Sequence, residues 1–501
     1  MQTDSGRPLY RAAQVRELDK RTIAAGIEGF ALMQRAAMAA YRGLRQRWPE
    51  ARYLSVLCGA GNNAGDGYVI AALAVLDGLQ VQLFSLRDPA SLAGDAGRAV
   101  AMARQVGVSI SAWQSQSALD GDLIVDALLG TGLAGEVREP FAAAIAAINA
   151  SQRPVLSVDI PSGLSADTGA VLGSAVRASL TITFIADKLG LQTGAGPACC
   201  GEVQFESLGV APLDHDDIEP AAWRLGAETA LPPRAHDSHK GDFGHVLVIG
   251  GAPGFGGAAL LASQTVARLG AGKVSLATAP EHVTASLAAC PEVMVHGVYS
   301  ANDLGELLNA ATVLVVGPGL GVGAWGQAML RVALDAGKPL VLDADALTLL
   351  VSRWPSLRRE DWLLTPHPGE AARLLESSGA KVQADRPAAA RSLVDRYGGV
   401  VVLKGSGSLV ADGKGLAVCP FGNPGMASGG MGDALSGMLG ALIAQGLTLP
   451  AAARLGVVLH ARAADQAAAA GGERGLLAGD LASYARRLIN GRTDDARDTS
   501  G

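Results

Sequence analysis

Short apolar runs recur from one end of the chain to the other, and longer segments rich in Ala, Leu and Arg separate them. Most of these runs lack an alternation of apolar and polar residues, which is typical of parallel strands covered on both faces. The intervening segments are long enough to be crossover helices, so the pattern predicts doubly wound α/β folds. The predicted strands are Tyr53–Leu57, Val81–Leu86, Leu123–Leu129, Pro154–Ile160, Leu180–Ile185 and Val203–Leu208, then His245–Ile249, Lys273–Ala277, Thr312–Val316, Pro339–Asp343, Trp362–Leu364 and Val400–Leu403.

This alternation stops between residues 209 and 241, in a segment rich in Pro, Asp and His. Such a composition is typical of a linker between domains. We therefore predict a first α/β domain over residues 1–215, a linker over 216–235 and a second α/β domain over 236–492. The polar residues 493–501 predict a disordered tail. The glycine motifs of the two halves differ, which indicates two different domains rather than a duplication.

Composition narrows the class of protein. Of 501 residues, 49% are hydrophobic and 18% are charged, which excludes global disorder. The 65 glycines predict many tight turns in which the backbone approaches a ligand closely. A net charge of −6 implies no basic face, so we expect neither nucleic acid nor a membrane surface as a partner. The five cysteines form no CxxC pair, which argues against a disulfide framework or a zinc site.

The sequence also bears on location. The N-terminus has no apolar core of the kind that a secretory signal needs. The uncharged stretch Ala434–Ala453 contains three glycines, Gln445 and Pro450, so we interpret it as a buried helix rather than a membrane span. We expect a cytoplasmic protein.

A glycine-rich loop follows the first predicted strand, Tyr53–Leu57. The loop, CGAGNNAGDG at residues 58–67, fits the G-x-G-x-x-[G/A] spacing that turns backbone amides and a helix N-terminus toward phosphate. A plain tight turn explains that spacing alone equally well. The loop also carries Asn62, Asn63 and Asp66, whose oxygens can hold a polar ligand together with a hard cation.

Two further strand ends carry carboxylates. Asp126 precedes the glycine turn of DALLGTG, and Asp159 precedes the turn Pro161-Ser162-Gly163. Because the carboxyl ends of parallel strands meet at one edge of a sheet, a ligand would bind where these segments converge. Capping of the following turn would explain either carboxylate alone. Three such ends in one domain favour a binding site.

The motifs GAGNNAGDG, DALLGTG and VDIPSGL, in this order and spacing, resemble the NAD(P)H-hydrate epimerase domain, the Rossmann-like YjeF N-terminal family, over about residues 8–215. The resemblance implies a potassium ion held by Asn63, Asp126 and Ser162. It makes Asp159 the candidate acid or base, since epimerisation at a ring carbon needs reversible proton transfer. The implied substrate contacts are Asn62, Asn63, Ala64, Gly65, Asp66, Gly130, Thr131, Gly132, Leu133, Ala134, Gly135, Glu136 and Asp159.

Two residues of this domain need a separate interpretation. Ala64 stands where the family usually has glycine, and its methyl group could crowd the diphosphate of the substrate. Lys188, in the run FIADKLGL, is a weaker candidate for proton transfer, and we interpret it as a solvated or capping lysine.

The second half carries its most specific motif at residues 423–433, NPGMASGGMGD, which opens an apolar helix. A glycine-rich turn at a helix N-terminus gathers amides and the positive end of the helix dipole, which favours a phosphoryl group in transfer. Asp433 lies there and can take a proton from a substrate hydroxyl. The alternative is an aspartate that only caps the helix, but a cap does not need three preceding glycines.

Two other segments of this half favour nucleotide chemistry. The predicted strand Val400–Leu403 runs into KGSGS at residues 404–408, a basic turn suited to a phosphate or ribose. His367 is fixed between two prolines at a strand end, where we expect it to contact a ligand. By contrast, GAGKV at residues 270–274 lacks the Ser or Thr of a P-loop and is discarded.

Together with VGPGLG and GGAPGFGGA, these motifs resemble the ADP-dependent NAD(P)H-hydrate dehydratases, which have a ribokinase-like fold, over about residues 235–490. The resemblance implies ADP as co-substrate, with magnesium expected to accompany the nucleotide. The implied contacts with the hydrate are Ala258, Gly319, His367 and the catalytic residue Asp433. The implied nucleotide contacts are Lys404, Gly405, Ser406, Gly407, Ser408 and Gly432.

The two resemblances imply repair of hydrated nicotinamide cofactors. The first domain would interconvert the R and S epimers of NADH hydrate and NADPH hydrate. The second would use ADP to dehydrate the S epimer to NAD(P)H, giving AMP and phosphate. Two alternatives stay open: a ribokinase-type small-molecule kinase fused to a nucleotide-binding domain, and a non-catalytic nucleotide-binding scaffold. We expect a homo-oligomer.

Overall fold

The computed structural model describes residues 6–210 and 217–492. These residues divide into two compact units, one formed by residues 8–210 and 217–222 and the other by residues 6–7 and 223–492. The predicted tail, 493–501, lies outside the described residues. The predicted two-domain α/β architecture is confirmed.

The first unit has a parallel sheet with helices on its faces. A short strand, β1 (Arg7–Leu9), precedes the first helix and is not part of this sheet. The elements that follow are α1 (Ala12–Ala24), α2 (Gly29–Arg47), β2 (Tyr53–Cys58), α3 (Asn62–Leu76), β3 (Gln80–Ser85), α4 (Gly94–Gln105), β4 (Ile110–Ala112), β5 (Leu123–Ala127), α5 (Phe141–Ala150), β6 (Val155–Val158), β7 (Leu180–Phe184), α6 (Gly196–Cys200) and β8 (Glu202–Glu206). The sheet order is β4-β3-β2-β5-β6-β7-β8. Every residue of the apolar strand β5 is buried, as its lack of alternation predicts.

From β2 the chain adds strands toward β4, at one edge of the sheet. It then returns to the centre at β5 and adds strands toward β8, at the other edge. Loops that leave adjacent strands in opposite directions open a crevice at their carboxyl ends. The loops after β2 and β5 therefore flank the expected ligand position.

The second unit has a larger mixed sheet. Its elements are β9 (Ala222–Arg224), β10 (His245–Ile249), α7 (Gly256–Arg268), β11 (Lys273–Thr278), α8 (Val283–Ala289), β12 (Met294–Gly297), α9 (Gly305–Ala310), β13 (Val313–Val316), α10 (Ala324–Asp335), β14 (Leu340–Leu342), α11 (Asp345–Arg353), β15 (Trp362–Leu364), α12 (Pro368–Leu374), α13 (Gly379–Ala384), α14 (Arg386–Tyr397), β16 (Val400–Leu403), β17 (Leu409–Asp412), β18 (Gly415–Val418), α15 (Met431–Ala444), α16 (Leu449–Gly471) and α17 (Ala478–Ile489). Among the strands from β9 onward, the order runs β9-β18-β17-β16-β15-β14-β13-β10-β11-β12, and β17 pairs antiparallel with both neighbours. Here the switch point lies between β10 and β13.

The segment predicted to be a linker, 216–235, differs from that expectation over its described part. Ala222–Arg224 forms β9, which pairs in parallel with β18. Further along, the Leu231 amide donates to the Ile489 carbonyl at 2.9 Å, which ties the segment to α17. The sequence pattern does not predict this strand, because three residues in a polar context carry no periodic signal.

The long apolar stretch Ala434–Ala453 forms parts of two helices, α15 and α16, rather than the single buried helix that we predicted. Gln445 caps the end of α15, and Pro450 lies in the first turn of α16, where proline is tolerated. Among the described helices, none combines the length and the apolar composition needed to cross a membrane.

Candidate active sites

The first unit contains a cavity of about 670 Å³ at the carboxyl edge of its sheet. Such a volume suits a small-molecule ligand. The loops after β2, β5 and β6 line it together with α1 and α2. Of the predicted substrate contacts, those that line the cavity are Asn62, Asn63, Asp66, Gly130, Thr131, Gly132, Leu133, Ala134 and Asp159.

Close backbone approach shapes the first glycine loop. A Cβ at Gly59 would lie 1.8 Å from the Leu128 carbonyl oxygen, so no side chain fits where the two loops meet. Gly61 has a φ of 80°, a left-handed conformation that suits glycine, and α3 begins at the next residue. The loop thus brings a helix N-terminus to the cavity.

Four predicted contacts do not line the cavity. Ala64 is fully buried in the core, and a Cβ at Gly65 would meet the Met33 side chain at 2.5 Å. The expectation that the Ala64 methyl group crowds a diphosphate is therefore wrong. Gly135 and Glu136 are exposed beyond the part of the loop that lines the cavity.

Asp159 follows β6 with a φ of 67°, a strained left-handed conformation for a residue with a side chain. Such strain concentrates at functional sites. Its carboxylate accepts hydrogen bonds from the Lys188 ammonium and from the Phe184 amide, the latter at 3.2 Å. The carboxylate is thereby fixed at the cavity wall.

The interpretation of Lys188 as a solvated or capping lysine is wrong. Its side chain is 0% exposed, and its ammonium also donates to the Thr183 hydroxyl at 2.8 Å and the Phe184 carbonyl at 2.9 Å. A buried ammonium needs such partners. Lys188 therefore supports Asp159 from behind the cavity wall.

The cavity wall also carries carboxylates that our sequence analysis missed, Asp19 on α1 and Asp95 on α4. Burial raises the pKa of Asp66 well above its usual range, and the charges of Asp159 and Asp19 raise it further. Burial likewise raises the pKa of Asp19, with Asp159 and Asp95 contributing. Both missed residues lie on amphipathic helices, where one more polar residue gives no signal in the sequence.

Of the predicted cation ligands, Asp126 and Ser162 are in direct contact. Asp126 is 0% exposed and accepts hydrogen bonds from the Ser162 hydroxyl and amide, at 2.5 and 2.9 Å, and from the Ser157 hydroxyl at 2.8 Å. Burial raises the pKa of Asp126, and these hydrogen bonds oppose that effect. Asn63 lies next to Gly130, and the buried oxygen and nitrogen of its side-chain amide have no hydrogen-bond partner among the described residues.

The second unit places the glycine motif as predicted, at the start of α15. Gly430 adopts a left-handed conformation with a φ of 87° immediately before the helix. Ser428 and Asn423 fix the preceding turn, through hydrogen bonds to the Leu476 carbonyl at 3.0 Å and to Asp465 at 2.9 Å. The backbone amides of this turn are therefore held at the helix N-terminus.

Asp433 lies in the first turn of α15 but does not act as a cap. Its carboxylate accepts no hydrogen bond from any other residue that the structure describes, and Gly430 occupies the N-cap position. Burial raises the pKa of Asp433 to about 6, the charge of Asp343 adds to that effect, and Lys404 opposes it. A carboxylate with this pKa can take a proton near neutral pH.

Asp343, the last residue of a predicted strand, lies beside these residues although no sequence motif indicates it. Its carboxylate accepts from the Lys404 ammonium at 2.6 Å and from the Ser436 hydroxyl at 2.7 Å. Although burial opposes its ionisation, Lys404 and these hydrogen bonds lower the pKa of Asp343. An isolated aspartate at a strand end carries no motif, so only the fold reveals this contact.

The other predicted residues of this unit take different positions. Ala258 lies in the first turn of α7 and Gly319 on the loop after β13, both at the switch point, where the Ala252 amide donates to the Gly319 carbonyl at 2.7 Å. The Nδ1 atom of His367 accepts from the Gly369 amide at 2.9 Å and caps α12, and its ring is half-exposed. His367 thus has a structural function, and its contact with a ligand stays a prediction.

The predicted nucleotide loop, residues 404–408, packs against a buried arginine. The Arg386 guanidinium donates to the carbonyls of Leu403 and Lys404 at 3.3 Å. Gly405 and Gly407 adopt φ values of 137° and 60°, so the turn requires glycine at both positions.

Each of the two units matches a known protein family. Residues 29–190 match the family described as YjeF-related protein N-terminus, and residues 246–487 match the family described as NAD(P)H-hydrate dehydratase. A solved structure of an ADP/ATP-dependent NAD(P)H-hydrate dehydratase from Bacillus subtilis aligns with 52% of this chain and 94% of its own, at 28% identity and a TM-score of 0.46.

The similarity to curated proteins extends over nearly the whole chain. The bifunctional NAD(P)H-hydrate repair enzyme of Coxiella burnetii is 49% identical over 96% of this chain and 99% of that protein. The corresponding enzyme of Escherichia coli is 44% identical over 94% of this chain and 91% of that protein. The chain therefore belongs to the family of bifunctional NAD(P)H-hydrate repair enzymes.

Proposed function

We propose that the first unit interconverts the R and S epimers of NADH hydrate and NADPH hydrate, and that the second unit dehydrates the S epimer with ADP. The observation that carries this proposal is Asp433, a carboxylate without hydrogen-bond partners among the described residues, beside Lys404 and at a glycine-opened helix N-terminus. This arrangement supplies a base and a phosphoryl site together.

The dehydration follows from that arrangement. Hydroxide is a poor leaving group, whereas phosphate is a good one. Asp433 takes the proton of the substrate hydroxyl while the hydroxyl oxygen bonds to the β-phosphorus of ADP. The bond between that phosphorus and the oxygen that bridges the two phosphates breaks, and AMP leaves with the bridging oxygen. Loss of the new phosphate group and of a ring proton then restores the double bond of the nicotinamide ring. The amides of the α15 turn and Lys404 stabilise charge on the phosphoryl group, and magnesium would accompany the nucleotide.

The experiment that tests this function follows the recovery of dihydronicotinamide absorbance from a mixture of R and S hydrate, with ADP and with ATP in turn. We expect complete recovery with ADP and stoichiometric AMP and phosphate. A stable phosphorylated product without recovery of absorbance would instead identify a small-molecule kinase.

A pH profile tests the assignment of Asp433 as base. Because its pKa is raised to about 6 and the base must be unprotonated, kcat/KM for the hydrate should be constant above that pH and fall about tenfold per unit below it. The measurement is kcat/KM for the hydrate from about pH 5 to about pH 9, corrected for the reaction without enzyme. A flat profile over that range would contradict the assignment.

Potassium fits the first unit because Asn63 buries an amide oxygen that accepts no hydrogen bond from any described residue. We propose that Asn63 contacts the ion, together with Ser162 and the charge of Asp126. A bound potassium ion would supply positive charge near the diphosphate of the substrate.

Asn63→Ala should weaken the activation of epimerisation by potassium roughly tenfold or more, since it removes the unpaired oxygen. The measurement is the epimerisation rate as a function of potassium concentration, with lithium as reference. Asn149→Ala is a matched control, because both ends of that amide are already hydrogen-bonded, at 2.9 Å each, away from the cavity. An unaltered potassium dependence in Asn63→Ala would contradict the ligand assignment.

A further inference from the structure

The Asp343 carboxylate joins three structural elements of the second unit. It follows β14, it is 1% exposed, and it binds Lys404 at the end of β16 and Ser436 on α15. A buried carboxylate that satisfies its oxygens in this way holds its partners in fixed positions.

This cluster lies directly against the glycine turn. A Cβ placed on Gly432 would lie 3.2 Å from the Lys404 Nζ and 3.4 Å from the Asp343 Oδ2. The absence of a side chain at Gly432 therefore lets the ion pair approach the first turn of α15, which also carries Asp433.

We propose that Asp343 is a positioning residue of the dehydratase site, which holds the Lys404 ammonium against the α15 turn and supplies negative charge that keeps Asp433 an effective base. The inference rests on the function proposed above. Asp343 itself is too deeply buried to be assigned a contact with substrate.

The charges around Asp433 predict a direction for the test. Asp343 and Asp345 raise the pKa of Asp433, whereas Lys404 lowers it. The other groups that face Lys404 are Glu370, at 3.9 Å, and His460, whose pKa burial lowers to about 4, so that it is uncharged near neutral pH. Without the charge of Asp343, Asp433 loses a neighbouring anion, and Lys404 is free to turn toward Asp433. Both effects lower the pKa of Asp433.

The experiment compares the full-length wild type with Asp343→Asn and Asp343→Glu. In Asp343→Asn the midpoint of the acid limb of kcat/KM for the hydrate should move down by roughly one pH unit, and the KM for ADP should rise about tenfold because Lys404 is displaced. In Asp343→Glu, which retains the charge on a longer side chain, the midpoint should return to the wild-type value while the KM for ADP stays several-fold above it.

Asp412→Asn is the matched control. Asp412 lies on β17 of the same sheet, and its side chain is 6% exposed and pairs with Arg454 of α16 at 3.2 Å, so its loss should lower the melting temperature without moving the pH midpoint. An Asp343→Asn variant with the wild-type midpoint and KM, or a shift of equal size in Asp412→Asn, would overturn the inference. If Asp343→Asn fails to fold, an unchanged KM for ADP in Asp343→Glu overturns it instead. A wild type without dehydratase activity would refute the proposed function rather than this inference.

Discussion

Replacement of Asp433 by Asn is expected to lower kcat for ADP-dependent dehydration by at least roughly 10²-fold, since general-base assistance typically contributes about 10²–10⁴-fold. The KM for ADP should change little, because the amides of the α15 turn and Lys404 remain. The measurement is steady-state kinetics with purified S hydrate over a range of ADP concentrations.

Stability provides an independent check on this variant. A carboxylate whose pKa is raised to about 6 in the folded state destabilises the fold once it ionises, that is, as the pH rises from its unfolded value of about 4 through 6. Asp433→Asn should therefore raise the melting temperature near neutral pH.

Asp480 offers a matched control for Asp433. It occupies the corresponding position in the first turn of α17, but it accepts a hydrogen bond from the Leu477 amide at 2.9 Å and caps that helix. Asp480→Asn keeps an oxygen that can accept this hydrogen bond, so it should lose only the favourable charge at the helix N-terminus, about 0.3–1 kcal/mol of stability, and keep its kcat. Near-wild-type kcat together with lowered stability in Asp433→Asn would make Asp433 a cap as well.

Replacement of Asp159 by Asn is expected to lower the epimerisation rate by roughly 10²-fold or more and to leave dehydration of purified S hydrate unchanged. With a mixture of epimers and excess ADP, the full-length variant should consume the S fraction at the wild-type rate and then slow sharply. The time course of absorbance recovery measures both phases in one experiment.

In this variant the buried Lys188 ammonium loses its anionic partner, the Asp159 carboxylate. Asn retains an oxygen that can accept from Lys188, which limits the cost of a buried unpaired charge, about 3–5 kcal/mol in the worst case. Asp95→Asn is the control, since Asp95 lines the same cavity without contacting Lys188. If Asp159→Asn consumes both epimers in a single fast phase, proton transfer depends on another residue.

Much of the fold follows from the sequence because its central strands are continuous apolar runs. Three strands of the second unit, β10, β15 and β16, begin and end at the predicted residues. The hairpin of β17 and β18 was missed although its turn, DGKG at residues 412–415, is a recognisable signal. The edge strands β4 and β12 are short and partly exposed, so their residues show neither a continuous apolar run nor clear alternation.

The site residues also fall into two groups, those that a local sequence motif indicates and those that only the fold brings together. Glycine turns and the aspartates beside them are local in sequence, so Asp159 and Asp433 could be assigned to their loops without coordinates. Contacts between distant strand ends are not local. Lys188 reaches Asp159 across 29 residues, and Lys404 reaches Asp343 across 61, and no spacing rule connects such pairs.

The short strand β9 carries a consequence for dissecting the chain. It pairs with β18, whose outer backbone groups would otherwise form an open edge of the second sheet. Open edges recruit strands from other molecules and promote aggregation. A fragment that begins at residue 236, where the sequence predicts the start of the second domain, would lack β9. In such a fragment β18 would have unpaired backbone groups along its outer side. A fragment that begins before Ala222 keeps β9.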